Sequence, residues 1–76
     1  MATEKLERIF RAVFDLSDTA EVRHLRQIAV PSWDSLAHVS LVAALEDEFG
    51  TSIDIADALR MTSFAAVQLV LEEQGL

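Results

Sequence analysis

The chain has 76 residues, 51% of them apolar, with only two glycines and one proline; that is enough for one small core and too apolar for a disordered segment. Six basic residues stand against thirteen acidic ones, a formal net charge of −7, which speaks against the cationic footprint needed for DNA, RNA or an anionic membrane surface. Cysteine is absent and His24 and His38 show no ligand spacing, so neither a disulfide framework nor a metal site is expected.

The opening "MATEKLERIF" mixes charges and lacks the apolar stretch of a signal peptide. No apolar run approaches membrane-spanning length, so a cytoplasmic protein with no membrane contact is expected. Leu6, Ile9, Phe10, Val13 and Phe14 then fall at i, i+3, i+4, i+7 and i+8. That spacing predicts a helix over residues 3–15, with Thr3 as its N-cap. The next twenty or so residues are less regular, and a structureless loop of that length in so small a domain points to function. Asp18 and Glu21 have capping-box spacing, which predicts a short helical turn beginning there. His24, Arg23 and Arg26 read as loop surface, and Pro31 stiffens the approach to Trp33, whose indole is expected to pack the loop onto the bundle.

Leu36, Val39, Val42, Ala43, Leu45 and Phe49 restore a helical pattern, and Gly50 follows as a C-terminal glycine should. A second helix is predicted over 35–49, with Asp34 or Ser35 as N-cap. Asp54 precedes a short pattern of Ile55, Ala58 and Leu59, enough for one or two turns. Thr62 and Ser63 offer a cap for a last helix through Phe64, Val67, Val70 and Leu71, ending before Gly75. No β-type alternation interrupts this order. The expectation is all-α: a small four-helix bundle of three longer helices and one short one.

Ser35 raises the functional question. A nucleophilic serine needs a base, usually a histidine oriented by a carboxylate. His38 lies one turn on, but Asp34 is its only nearby acid in sequence and diverges from it around the helix, so no catalytic residue is expected. The position suits an anion instead: unsatisfied N–H groups and the positive dipole end of a helix stabilise a phosphate there.

"DSL" opening an apolar helix, with "ALEDEFG" at its far end and "I" three residues later, resembles the acyl carrier proteins. The resemblance spans about residues 3 to 73, and residues 1–76 are read as a single carrier-like domain. It implies that Ser35 carries 4′-phosphopantetheine, transferred from coenzyme A, with Asp34 and Leu36 completing the attachment motif. The terminal thiol of that arm holds cargo as a thioester, so a chain without cysteine can carry one. It also implies a phosphopantetheinyl transferase and acyl-loading and acyl-processing enzymes as partners, and a monomer as the working form. Glu46, Asp47 and Glu48, with Leu36 and Val39, are the expected docking residues for partners with basic patches. The three carboxylates sit where they oppose the helix dipole, so stability does not account for them.

Carriers of fatty-acid synthesis tend to be acidic soon after the serine, whereas this chain has Ala37, His38 and Ser40. A stand-alone carrier of polyketide, glycan-related or other specialised biosynthesis is therefore expected. A peptidyl or aminoacyl carrier is the nearest alternative, and an unmodified helical interaction module the next. His38 is expected in solvent, or against the phosphate. Leu45, Phe49, Ile53, Leu59 and Met61 are expected in the core; in relatives, similar positions line the space that receives an acyl chain.

Overall fold

The computed structural model describes residues 3–76. Among them lie four α-helices and one short 3₁₀ turn, and no strand: α1 Thr3–Val13, α2 Ser35–Phe49, α3 Ile55–Arg60 and α4 Phe64–Glu73, with the 3₁₀ turn at Gln27–Ala29. The predicted order of three longer helices and a short one is the observed order.

Helix α1 begins at Thr3, which stands inside the helix; a cap before it would fall outside the described residues. It ends two residues earlier than its apolar spacing predicts. Asp15 takes a left-handed conformation (φ 55°), and the Leu16 amide turns back to donate to the Arg11 carbonyl at 2.8 Å. That 6→1 bond is a Schellman ending. Gly50 (φ 60°) and Gly75 (φ 82°) end α2 and α4 in the same way, with Thr51 N donating to Glu46 O at 3.2 Å and Leu76 N to Leu71 O at 3.0 Å. The starts of the last three helices are capped by side chains: Asp34 accepts from Ala37 N, Asp54 from Asp57 N, and Ser63 from Ala66 N.

No helical turn begins at Asp18. Residues 17–20 and 22–25 form isolated turns, closed by Ala20 N to Ser17 O and Leu25 N to Val22 O. The Glu21 carboxylate caps the Arg23 amide at 2.9 Å, two residues away, so it does not complete a capping box. Its carboxyl is held below the usual value by that bond, with further help from the charges of His24 and Arg23.

Residues 14–34 are nonetheless pinned along their length. Val22, Val30 and Trp33 are buried in the common core. The Arg11 guanidinium donates twice to the Ala20 carbonyl, and Ser32 Oγ donates to the Phe14 carbonyl. An antiparallel bridge between Arg26 and Ser63 joins the loop to the α3–α4 junction, through Gln27 N to Thr62 O at 2.9 Å and Phe64 N to Leu25 O at 3.0 Å. Several backbone groups of the loop thus find partners inside the molecule.

The core gathers Leu6 and Phe10 of α1, Phe14 just past its end, Leu41 and Leu45 of α2, and Phe64, Val67, Val70 and Leu71 of α4 around the loop's Trp33. Phe10 is its hub: the rings of Phe14, Trp33 and Phe64 lie 5.5, 5.5 and 4.9 Å from its centroid. Trp33 is edge-on to Phe10 and 4.7 Å from Phe14, so the indole does pack the loop onto the bundle. Helix α3 adds no buried residue. Ile53 and Met61, just outside its two ends, are buried instead.

Candidate functional site

The site is assembled at the N-terminus of α2. Asp34, extended at φ −90° and ψ −175°, caps the helix by accepting from Ala37 N at 2.8 Å, and its carbonyl accepts His38 N at 2.9 Å. Capping therefore falls to Asp34 and leaves Ser35 free. Ser35 is the first helical residue and is exposed, and its hydroxyl has no partner among the described residues. The amides of Ser35 and Leu36 likewise have no acceptor within the described chain, as expected of a helix's first turn.

A pocket of about 290 Å³ lies beside the serine, lined by Gln27, Ser35, His38 and Leu59. Gln27 reaches it from the 3₁₀ turn and donates to the Trp33 carbonyl at 3.4 Å. Leu59 comes from α3. It was expected in the core and is 73% exposed, because α3 turns Ala58, not Leu59, toward the other helices. Leu45, Ile53 and Met61 are buried as expected, and Phe49 is half-buried beneath Lys5, whose Nζ lies 5.6 Å from the ring centroid.

His38 departs from its expected place in solvent. It is half-buried and stacked on Trp33, with an interplanar angle of 19°. Trp33 Nε1 lies 3.0 Å from His38 Nδ1, and His38 Nε2 lies 2.8 Å from the Ala58 carbonyl. Both ring nitrogens are thus engaged away from Ser35. Sequence offered one hint of this, a histidine one turn after the cap and five residues after a tryptophan; its second partner, 20 positions away, left none.

Leu36 and Val39 are 77% and 65% exposed, and Ile55 on α3 is 79% exposed. The α2 pattern joined these outward residues to inward ones because the helix is apolar on most of its circumference. The buried pair is Leu41 and Leu45.

The acidic trio divides. Glu46 folds back to accept the Ile53 amide at 2.8 Å, which gives it a stabilising role that the dipole argument denied it. Glu48 pairs with Lys5 of α1 at 3.6 Å. Asp47 is exposed and has no partner among the described residues. His24, Arg23 and Arg26 are all exposed, with the Arg23 guanidinium 2.6 Å from Glu7.

No described cluster could hold a metal ion, and no helix among the described residues is long and apolar enough to cross a membrane. No family model matches the chain, and no curated protein is significantly similar to it.

Proposed function

We propose that the protein is an acyl carrier, modified on Ser35 by 4′-phosphopantetheine. The observation that carries this reading is the division of labour at the start of α2: Asp34 takes the cap, so the hydroxyl of Ser35 stands exposed and unbonded on a 15-residue helix. The residues present fit the group. The free amides of Ser35 and Leu36 and the positive end of the dipole favour a phosphodiester on that oxygen. The helix order, with a long tethered loop before the serine, supports the acyl-carrier type of bundle.

Attachment needs no activation by this chain. The Ser35 Oγ–P bond forms as the diphosphate P–O bond of coenzyme A breaks; adenosine 3′,5′-bisphosphate leaves, and the hydroxyl proton passes to the transferase. Once bound, the arm supplies a thiol that holds an acyl group as a thioester. The chain's own part is to present the serine and dock enzymes, and it catalyses nothing. His38, the nearest base in sequence, is committed to Trp33 and Ala58, which supports that reading.

Leu36 and Val39 flank the serine as an exposed apolar docking surface, and Asp47 and Glu48 lie farther along the same helix. The first exposed side chains after Ser35 are thus apolar rather than acidic. This supports partners of a specialised pathway over those of fatty-acid synthesis, whose enzymes read acidic residues beside the arm. A peptidyl or aminoacyl carrier would present its serine in the same way, and the cargo installed by a loading ligase separates the two.

Intact-protein mass before and after incubation with coenzyme A and a panel of phosphopantetheinyl transferases tests the reading. The expected result is a gain of one arm in the wild type and none in Ser35→Ala. A folded, unmodified sample that stays unchanged with every transferase would end the carrier assignment and leave an interaction module.

A further inference from the structure

Helix α3 is held differently from the others. Six residues are too few to be helical alone, and α3 buries none of them. Ile55 and Leu59 face water, and only Ala58 packs on the core, between the buried Ile53 and Met61. Polar ties must therefore do much of the docking. Asp54 caps the first turn from within the segment, and Arg60 reaches Glu73 of α4 across exposed surface at 2.8 Å. The other side-chain tie from a neighbouring helix is His38.

Ala58 contributes one of the last carbonyls of α3, the groups a helix cannot satisfy with its own regular ladder. Within the segment it accepts Met61 N at 3.2 Å; His38 Nε2 supplies a shorter contact, at 2.8 Å. An indole N–H can only donate, so Trp33 Nε1 makes Nδ1 of His38 the acceptor. The neutral ring then carries its proton on Nε2, and that N–H donates to Ala58. Trp33 can dictate this because it is itself fixed, 3% exposed and wedged against Phe10 and Phe14. A rigid core residue selects the tautomer, and the tautomer caps α3 from another helix.

The held helix also supplies one wall of the pocket beside Ser35, through Leu59, while His38 supplies another. We propose that His38, oriented by Trp33, is the positioning residue that latches α3 onto the bundle beside Ser35. Local opening of so weakly anchored a segment does not require the bundle to unfold. This inference goes beyond the carrier reading and does not need it, since the latch holds α3 in the same way whether or not Ser35 bears an arm.

Amide hydrogen exchange on the unmodified protein tests it, comparing wild type with His38→Ala, His38→Gln and Trp33→Phe. In His38→Ala, protection of the Ala58 and Met61 amides is expected to fall about tenfold, while Phe10, Leu45 and Leu71 change less than about twofold. His38→Gln keeps an N–H within reach of the Ala58 carbonyl and restores most of the protection. Trp33→Phe keeps an aromatic ring but loses the indole N–H, and lowers α3 protection more than that of α4. Unchanged α3 protection in His38→Ala, or an equal loss in every helix, would overturn the latch. So would failure of His38→Gln to restore protection in α3.

Discussion

Glu46 and Asp47 are adjacent acids near the end of α2, and their surroundings give them opposite effects on stability. The Glu46 carboxylate accepts the Ile53 amide, while its carbonyl accepts the amides of Gly50 and Thr51, so one residue organises the turn out of the helix. A hydrogen bond to a charged group contributes about 1.5 kcal/mol or more, less where water competes. Glu46→Ala is therefore expected to destabilise the protein by about 1 kcal/mol in urea unfolding. Asp47→Ala removes a carboxylate that only opposes the dipole, and is expected to be neutral or stabilising by a few tenths of about 1 kcal/mol. Equal losses in the two variants would mean that the bond to Ile53 contributes nothing. Sequence alone put all three acids in one class, because their shared position at the helix end was visible and the Ile53 amide was not.

At the scale of the element, α1, α2 and α4 share one ending, a left-handed residue followed by a 6→1 bond, with Asp15, Gly50 and Gly75 in that place. A Cβ on Gly50 would meet nothing within 4 Å, so any cost of a side chain there is backbone strain alone. Gly50→Ala is expected to lower stability by about 1 kcal/mol, read from the shift in urea midpoint at constant slope. Asp15→Gly, at the matching place in α1, is expected to move it by less than about 0.5 kcal/mol, because aspartate tolerates the left-handed region and glycine adds unfolded-state entropy. A larger loss in Asp15→Gly than in Gly50→Ala would contradict this. Gly50 and Gly75 announced their helix ends in the sequence. Asp15 did not, and the apolar spacing ran α1 two residues too long.

For the whole molecule, exposed ion pairs join segments that the core only partly ties. Lys5 reaches Glu48, Arg23 reaches Glu7, and Arg60 reaches Glu73 of α4 as well as Asp57 within its own helix. Hydrogen bonding to Arg60 holds the Glu73 carboxyl below its ordinary value of 4.5, and Arg60 in turn is raised by Glu73 and Asp57 and stays charged throughout. A carboxyl depressed in the fold favours folding above its unfolded value and loses that contribution as pH falls through its folded value. Wild type is accordingly expected to exceed Glu73→Gln in stability near about pH 7, with the difference closing as pH falls below the carboxyl's ordinary value of 4.5. A difference that persists unchanged in acid would assign it to something other than the charge pair. The pair is exposed, so added salt is expected to narrow the difference as well.

Local order determined most of the helix boundaries. Caps at Asp34, Asp54 and Ser63 and the glycines at 50 and 75 act within a few residues of themselves, so their effect is written in short stretches of sequence. The "DSL" stretch placed Ser35 at a helix start for the same reason. Which side each helix turns inward was decided only by tertiary structure. Apolar residues surround most of α2 and flank α3, so periodicity could not tell Leu41, buried, from Leu36 and Leu59, exposed. The tethered loop and the Trp33–His38–Ala58 relay depend on bonds between residues far apart in the chain, such as Gln27 to Thr62 and His38 to Ala58. Such contacts exist only once the core has closed around Phe10, which brings α1, the loop's tryptophan and α4 into van der Waals contact.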